Sequence, residues 1–258
     1  MLRFLQTLGE VTLAFLVAVG RVSIFVWDTL RSGCRPPYYG RLWLHQFLDM
    51  GFFSLPVVGL TAIFTGMVLA LQSYTGFSRF NGEGSIATVV VLSMTRELGP
   101  VLAGLMVAGR LGASIAAEIG TMRVTEQIDA LITLSTNPFR YLMFPRFLAG
   151  VLMLPLLVVV ADCLGVFGGY LVSTYKLGFN PATYLKQTFD FLELRDVVSG
   201  LIKACCFGFW IALMGCYHGY TSKGGAQGVG VAATRAVVSA CILILLSNYT
   251  LTALLFTS

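Results

Sequence analysis

Two adjacent ionisable residues, Arg96 and Glu97, lie inside an apolar stretch of the chain, in the segment TRELGP. Each such charge costs about 2.5–3.5 kcal/mol when a helix inserts into a bilayer, so the pair requires partners, neighbouring helices or a wet cavity. A guanidinium in a cavity can hold a phosphate through two parallel hydrogen bonds, with Glu97 holding Arg96 in place. Pro100 lacks an amide hydrogen and therefore frees a backbone carbonyl one turn earlier. A structural ion pair and a head-group cavity are both compatible with this pattern, and we favour the cavity.

Three further polar residues interrupt apolar stretches. Asp162 and Lys203 are expected either to pair with each other or, for Lys203, to reach toward the membrane surface along its alkyl stem. A lone aspartate also suits a proton relay, although the sequence shows no chain of partners for one. Arg235 lies close to the start of the last apolar stretch, where it can mark the membrane boundary.

The segment AEIGTMRVTEQIDAL, Ala117–Leu131, is the most informative hydrophilic part of the sequence. Helical spacing places its apolar side chains on one face, and Arg123 and Glu126 are separated by three residues, which makes them neighbours on a helix. A short amphipathic helix between two membrane spans can rest on the membrane surface. It can also dock into a groove of a soluble partner, with its charges fixing the register and its apolar face supplying affinity.

The sequence contains no motif for ATP hydrolysis or for another familiar hydrolytic reaction. It lacks G-x-x-x-x-G-K-[ST], H-E-x-x-H and G-x-S-x-G. The six cysteines form no C-x-x-C and no pairing with the two histidines, so neither a zinc site nor a disulfide framework is predicted. We therefore expect no enzyme and no cofactor in this chain, and any ATP must be hydrolysed, with Mg²⁺, by another subunit.

Composition identifies the elements that position these residues. Only 11% of the 258 residues are charged, whereas a water-soluble domain has about 25%, and the mean hydropathy is +0.82. Apolar runs of about 20 residues suit membrane-spanning helices, because lipid offers the backbone no hydrogen-bond partners. The sequence thus predicts one all-α integral membrane domain, residues 1–258, with five transmembrane helices. The predicted spans are 44–74, with a kink at Pro56, then 86–109, 144–175, 197–220 and 231–256.

The first 30 residues are predicted to form an amphipathic helix that lies in the membrane interface. Polar residues from Arg3 to Asp28 follow one stripe, and apolar residues follow another. A cleaved signal peptide is the alternative, with Arg3 at its start and residues 11–19 as its apolar core. Glu10 and the long polar stripe count against that alternative.

The distribution of basic residues predicts the orientation. The flanks 1–44, 110–146 and 221–235 carry eleven Lys and Arg, whereas 75–85 and 176–196 carry four. Because basic loops stay in the cytoplasm, the N-terminus is predicted to lie inside and the C-terminus outside. The odd number of spans disfavours the inverted repeats of many secondary transporters.

The chain resembles the MlaE permease family of bacterial lipid-trafficking ABC transporters. The resemblance covers nearly the whole chain and rests on three blocks: GMVLALQSY (Gly66–Tyr74), TRELGPVLAGLMVAGRLGASIAAEIGTMRVTEQIDAL (Thr95–Leu131) and ATR (Ala233–Arg235). It implies a permease dimer in the inner membrane of a Gram-negative bacterium that moves phospholipid and helps to maintain outer-membrane lipid asymmetry. The implied partners are a cytoplasmic ABC ATPase with a STAS-domain protein and a periplasmic hexamer of MCE-domain proteins, with no nucleic acid.

The resemblance also implies two sets of site residues. The lipid pocket would be lined by Leu69, Gln72, Tyr74, Phe77, Arg96, Glu97, Leu98 and Arg235. A coupling helix within residues 115–135 would receive the stroke of the ATPase through Glu118, Met122, Arg123, Glu126, Gln127 and Asp129. The sequence departs most from the family pattern at Phe77 and residues 78–80.

Other functions remain compatible with the sequence. The chain could be a channel or a membrane anchor that only docks an MCE protein, or a permease for a sterol or another hydrophobic substrate. The direction of transport is open as well, because the same pocket and the same stroke serve either flux.

Overall fold

The computed structural model of the chain describes residues 2–33, 35–36, 39–78 and 85–256. Within these ranges the regular elements are helices, and no strand is present. The α-helices are α1 Leu2–Gly33, α2 Gly40–Met50, α3 Leu55–Phe77, α4 Ile86–Ser93, α5 Gly99–Val107, α6 Ala113–Val124, α7 Gln127–Thr133, α8 Phe144–Tyr175, α9 Pro181–Phe191, α10 Leu194–Tyr220 and α11 Gly225–Phe256. A 3₁₀ turn covers Phe52–Ser54, and π-helical segments cover Met94–Leu98, Ala108–Gly112 and Phe139–Met143.

Six helical stretches in the described part of the chain are long and apolar enough to cross a membrane, judged by length and composition. This architecture confirms the predicted all-α integral membrane fold. The six stretches are Gly9–Gly33, Gly40–Phe77, Ile86–Val124, Phe139–Tyr175, Leu194–Tyr220 and Gly225–Phe256. The last five contain the five predicted spans, and the first belongs to the helix that the sequence places in the interface.

Of the α1 side chains that the structure describes, residues 9–33, those of the C-terminal half pack on the remainder of the protein. Phe25 is buried and meets the ring of Phe139 edge-on, with the centroids 5.5 Å apart. Apolar side chains nearer the N-terminus, such as Val11 and Phe15, are exposed. The length of α1 suffices for a span, whereas its packing against one end of the bundle suits a helix lying across that end. Its interfacial placement stays a prediction.

Helix α8 is central to the bundle, and glycines set its distance from its neighbours. A Cβ atom at Gly66 of α3 would collide with the carbonyl oxygen of Gly165 in α8. A Cβ at Gly208 of α10 would likewise collide with the carbonyl of Gly150. Small residues allow membrane helices to approach this closely, and packing then replaces the hydrophobic effect that lipid does not provide. The core is therefore built from backbones in near contact.

Several predicted boundaries differ from those observed. The bend in the first span falls at Gly51–Ser54, just before Pro56, which instead occupies the first turn of α3. The helical stretch that contains the second predicted span, 86–109, continues to Val124. Its 39 residues extend for about 58 Å, well beyond the ~30 Å hydrocarbon core, so part of the stretch lies outside that core. About half of the predicted coupling helix, residues 115–124 of 115–135, continues this stretch.

Helix α9 is an element that the sequence analysis assigned to a polar loop, residues 176–196. The side chain of Asn180 caps its N-terminus by accepting a hydrogen bond from the amide of Ala182, at 2.9 Å. Pro181 then fills the first turn, where its missing amide hydrogen has no cost. The Asn180-Pro181 pair is the sequence pattern that could have predicted the start of this helix. Helix α11 begins earlier than predicted, at Gly225 rather than 231.

Candidate functional site

We name the two ends of the bundle after the short helix that each contains: the α9 end and the α7 end. At the α9 end, charged side chains connect π-helical residues 94–98 to α10 and α11. Arg96 Nε donates to Asp196 Oδ1 at 2.6 Å, and Lys203 Nζ donates to Glu97 Oε1 at 2.7 Å. Asn248 Nδ2 donates to Glu97 Oε2 at 2.9 Å. We call Arg96, Glu97, Asp196, Lys203 and Asn248 the polar network.

Backbone geometry explains why charged residues can lie here. Arg96 and Glu97 are part of a π-helical segment, and such bulges redirect side chains and expose backbone groups. Pro100 cannot donate the α-helical hydrogen bond to the carbonyl of Arg96. That oxygen instead accepts from Lys203 Nζ at 2.8 Å. The predicted free carbonyl is therefore confirmed, and Lys203 satisfies it together with the Glu97 carboxylate.

The residue that holds Arg96 differs from the one expected. The sequence analysis assigned this role to Glu97, but the guanidinium pairs with Asp196, whose side chain is fully buried. Asp196 also accepts from the amide of Glu193 through Oδ2, at 3.2 Å, and so closes the first turn of α10. The sequence analysis missed Asp196 because helix starts commonly carry an acidic residue, and nothing in the local pattern shows that a guanidinium lies beside it.

The guanidinium of Arg96 is supported on one face and accessible elsewhere. Its Cζ lies 4.7 Å from the centroid of the Phe256 ring, within the range of a cation–π contact. Its side chain is 37% exposed, whereas Asp196 and Lys203 are 0% exposed. The network thus holds the guanidinium of Arg96 outward on a fixed base, together with the Glu97 side chain, which is also 37% exposed. This arrangement can bind an anionic group such as a phosphate.

The structure brings together some of the predicted pocket residues. Leu69, Tyr74, Phe77 and Leu98 pack around one buried apolar cluster at the α9 end, next to Met94. Gln72 is exposed on α3. The predicted contacts of residues 79 and 80 fall outside the described residues. The α9 end therefore carries both an apolar cluster and the exposed guanidinium, the two kinds of surface that a lipid with tails and a phosphate would require.

Arg235 lies away from this group. It precedes Asn248 on the same helix α11 by 13 residues, which corresponds to about 20 Å. It lines instead a polar cavity of about 470 Å³ at the α7 end, together with His218 and Lys223. Within one copy of the chain, Arg235 and Arg96 belong to different sites.

The expected pair of Asp162 and Lys203 does not form. Lys203 is fully buried and bonded to Glu97, so it does not reach toward the membrane surface either. Asp162 is also buried, and its Oδ1 has no hydrogen-bond partner in the described part of the chain. The two residues lie on adjacent helices of the core, but only Lys203 belongs to the polar network.

At the α7 end, the predicted coupling segment forms a protruding corner. Helix α6 ends at Val124, and Glu126 adopts a left-handed conformation with φ 60° that reverses the chain into α7. Ile128 is fully buried and anchors α7 to the bundle. Ile132 and Leu134 are 50% and 74% exposed beside it. The corner is therefore anchored by buried Ile128 and exposes the apolar side chains of Ile132 and Leu134.

The six predicted coupling residues divide into two groups. Glu118 accepts from the buried Arg146 at 2.7 Å, Met122 packs against the core, and Arg123 bonds to Asp129 Oδ1 at 2.7 Å. The expected neighbours Arg123 and Glu126 do not pair, because the helix breaks between them. Glu118, Glu126, Gln127 and Asp129 are exposed, with 55% of the Glu118 side chain accessible despite its ion pair, whereas Met122 and Arg123 are half-buried.

Over residues 2–33, 35–36, 39–78 and 85–256, no group of three or more His, Cys, Asp or Glu is placed to hold a metal ion. Cys163, Cys205, Cys206, Cys216 and Cys241 are free thiols.

The class of protein follows from these features: a multi-pass α-helical membrane protein with a charged site inside its bundle and an exposed polar corner at one end. The Permease MlaE family matches residues 43–254. A probable ABC transporter permease protein of Rickettsia bellii is 59% identical over 256 residues, 99% of both chains. The intermembrane phospholipid transport system permease protein MlaE of Haemophilus influenzae is 33% identical over 254 residues, 98% of this chain and 97% of that one. A probable ABC transporter permease protein of Synechocystis is 43% identical over 213 residues, 83% of this chain and 81% of that one.

The chain therefore belongs to the MlaE permease family and is an ABC transporter permease. This confirms the resemblance on which the site residues were chosen.

Proposed function

We propose that this chain is the membrane subunit of an ATP-driven transporter that moves phospholipid between the inner membrane and a periplasmic MCE-protein carrier, and so helps to maintain outer-membrane lipid asymmetry. The observation that carries the proposal is the exposed guanidinium of Arg96, held in the bundle by buried Asp196. The name of the Haemophilus relative supports the substrate class.

The chemistry of the α9 end suits a phospholipid. A phosphate accepts charge-assisted hydrogen bonds from the guanidinium nitrogens of Arg96, because only Nε is used by Asp196 in the structure. Leu69, Phe77 and Leu98 belong to the apolar cluster at the same end of the bundle, which suits acyl chains. Glu97 is satisfied by Lys203 and Asn248, so its carboxylate adds little repulsion toward the phosphate. Charge and apolar surface thus occur where one lipid would need both.

The α7 end suits attachment of a separate motor. Glu126 and Gln127 are exposed at the corner, next to the exposed apolar side chains of Ile132 and Leu134. A soluble subunit can bind the apolar side chains, and complementary charges on its surface can then set the orientation of binding. The partner proposed here is a cytoplasmic ABC ATPase with its STAS-domain protein, acting on a dimer of this chain. This assignment places the α7 end in the cytoplasm, with the N-terminus, and the α9 end and the C-terminus toward the periplasm.

The buried position of Asp196 determines how the lipid site should be tested. Removing Arg96 alone leaves a fully buried carboxylate without its cation, which would destabilise the protein and obscure the result. The double variant Arg96→Gln/Asp196→Asn removes both charges together and keeps side chains of similar size. The matched control is Lys186→Gln, on the exposed surface of α9.

The experiment reconstitutes the full complex in vesicles and follows a fluorescent phospholipid with and without ATP. We expect the double variant to transfer lipid about ten-fold more slowly or worse, because a charge-assisted phosphate contact contributes about 1.5–3 kcal/mol. ATPase association and the folded fraction should match those of Lys186→Gln. Unchanged transfer by a folded double variant would exclude Arg96 as the head-group contact.

The same assay separates the proposal from its alternatives. A membrane anchor or channel for an MCE assembly would show no ATP-dependent transfer. A permease for a sterol or another hydrophobic substrate would transfer that molecule and leave the phospholipid in place.

A further inference from the structure

A second apolar groove lies outside the polar network, on the face of the bundle formed by α8 and α9. Its volume is about 520 Å³, and its walls include Val91, Val166, Phe167, Tyr170, Leu185 and Phe189. The side chains of Phe167 and Phe189 are 48% and 71% exposed, so the groove opens at the surface of the bundle. A volume of this size accommodates a ligand of the size of a small lipid.

One wall of the groove carries a carboxyl group that the protein leaves without a partner. Asp162 is 9% exposed, and it forms no hydrogen bond or ion pair within the described residues. Its Oδ1 is enclosed against Gly99, where any larger residue would collide with it, so a ligand in the groove would meet the other oxygen, Oδ2. A buried carboxyl group without a partner is costly, so its retention indicates a partner that enters the groove.

Threonine and tyrosine hydroxyls also line the groove. Those of Thr95 and Thr188 each donate to a backbone carbonyl of their own helix, that of Val91 and that of Tyr184. Tyr170 and Tyr184 line it as well, and the buried Tyr184 hydroxyl has no hydrogen-bond partner among the described residues. The described lining contains no Lys or Arg. A phosphate would therefore find no cation here, in contrast to the site at Arg96.

We propose that this groove binds an uncharged lipid with a free hydroxyl group, whose hydrocarbon fills the apolar walls while the hydroxyl donates to Asp162. A hydroxyl can donate to a carboxyl oxygen whether or not that carboxyl carries a proton. An uncharged head adds no second charge to an apolar site. The occupant thus differs in chemistry from the phospholipid proposed at Arg96, and the two sites are separate.

Diacylglycerol is a suitable probe, because it has two acyl chains and one hydroxyl. The full chain with its ATPase partner, in lipid nanodiscs, is photolabelled with a diazirine diacylglycerol, and labelled peptides are mapped by mass spectrometry. We expect labels on α8 and α9 around Cys163, and competition by unlabelled diacylglycerol about ten-fold stronger than by phosphatidylglycerol. Asp162→Leu should remove that preference, and Asp162→Asn should keep most of it because the amide oxygen still accepts.

Variants that fill space provide the matched control. Cys163→Trp places a large ring in the groove, whereas Leu156→Trp adds the same ring on an exposed part of α8 outside it. Labelling should fall several-fold in the first variant only. Labelling in Arg96→Gln/Asp196→Asn should remain, so that failure of the lipid-transfer proposal and failure of this one are distinguishable. Equal competition by both lipids, or a Cys163–Cys163 cross-link between two copies of the chain, would overturn the proposal.

Discussion

The two ends of this permease use charged residues in opposite ways. At the α9 end, Lys203 pairs with Glu97 and Asp196 pairs with Arg96, which links residues 94–98 to α10, and the side chains of Asp196 and Lys203 are 0% exposed. At the α7 end, Arg146 pairs with Glu118 and Arg123 pairs with Asp129, but the two carboxylate side chains are 55% and 54% exposed, and Glu126 is exposed as well. The difference teaches that charge inside the bundle fixes geometry, whereas charge at the corner is available to a partner. Each prediction below tests one side of this comparison.

The largest effect is expected for Lys203→Met. The substitution removes the cation from Glu97 and the donor from the carbonyl of Arg96. We expect a loss of about 2–4 kcal/mol, because breaking a buried pair leaves the remaining charge without compensation. Chemical denaturation in detergent measures this loss. Lys186→Met, on the exposed surface of α9, is the control and should change stability by less than about 0.5 kcal/mol.

A second variant, Lys203→Met/Glu97→Gln, tests whether the Glu97 carboxylate is the main partner of Lys203. It removes both charges, and we expect it to be more stable than Lys203→Met alone, since the uncompensated carboxylate is gone. A double variant as unstable as the single one would mean that the carbonyl of Arg96, rather than Glu97, is the main partner of Lys203.

Glu118→Ala is expected to cause the next largest loss of stability. The variant distinguishes a role of Glu118 in folding from a role in binding the ATPase. Glu118 was predicted to contact the ATPase, yet it neutralises Arg146, whose side chain is 3% exposed. The variant should lose about 1–3 kcal/mol of stability as the guanidinium becomes uncompensated. The measurement is thermal unfolding of the permease alone. Because 55% of the Glu118 side chain is exposed, its contact with the ATPase stays a prediction, and a stable variant that fails to bind the ATPase would support it.

Glu126→Lys should leave stability nearly unchanged while weakening ATPase binding. The side chain is exposed and points away from the bundle, so the free energy of unfolding should change by less than about 0.5 kcal/mol. Co-purification of the ATPase should fall about ten-fold if the corner is the docking surface. Asp190→Lys makes the same charge change on α9, at the other end, and should bind normally. Equal binding by both variants would remove the coupling role of the corner.

The smallest effect is expected for the pair Arg123 and Asp129. Their side chains are 35% and 54% exposed, and exposed ion pairs contribute about 0–1 kcal/mol. A double-mutant cycle with Arg123→Ala and Asp129→Ala should give a coupling energy in that range. A coupling energy above about 2 kcal/mol would show that the corner is held as firmly as the polar network, contrary to the comparison above.

The sequence by itself determined the membrane fold, because long apolar runs leave the backbone no alternative to helices. It also identified Arg96 and Glu97 as residues that need compensation and Pro100 as the source of a free carbonyl, since both arguments depend on local chemistry alone. The amphipathic segment up to Leu131 was recognised for the same reason, although its helix breaks at Glu126.

Only the tertiary structure decided which residue compensates which. Arg96 and Asp196 are 100 residues apart, and Glu97 and Lys203 are 106 apart, so no spacing rule connects them. The same holds for Asp162, whose missing partner becomes evident only when its neighbours in space are known. Local patterns specify which groups cannot remain alone in lipid, whereas the packing of helices through small residues such as Gly66 and Gly208 selects their partners.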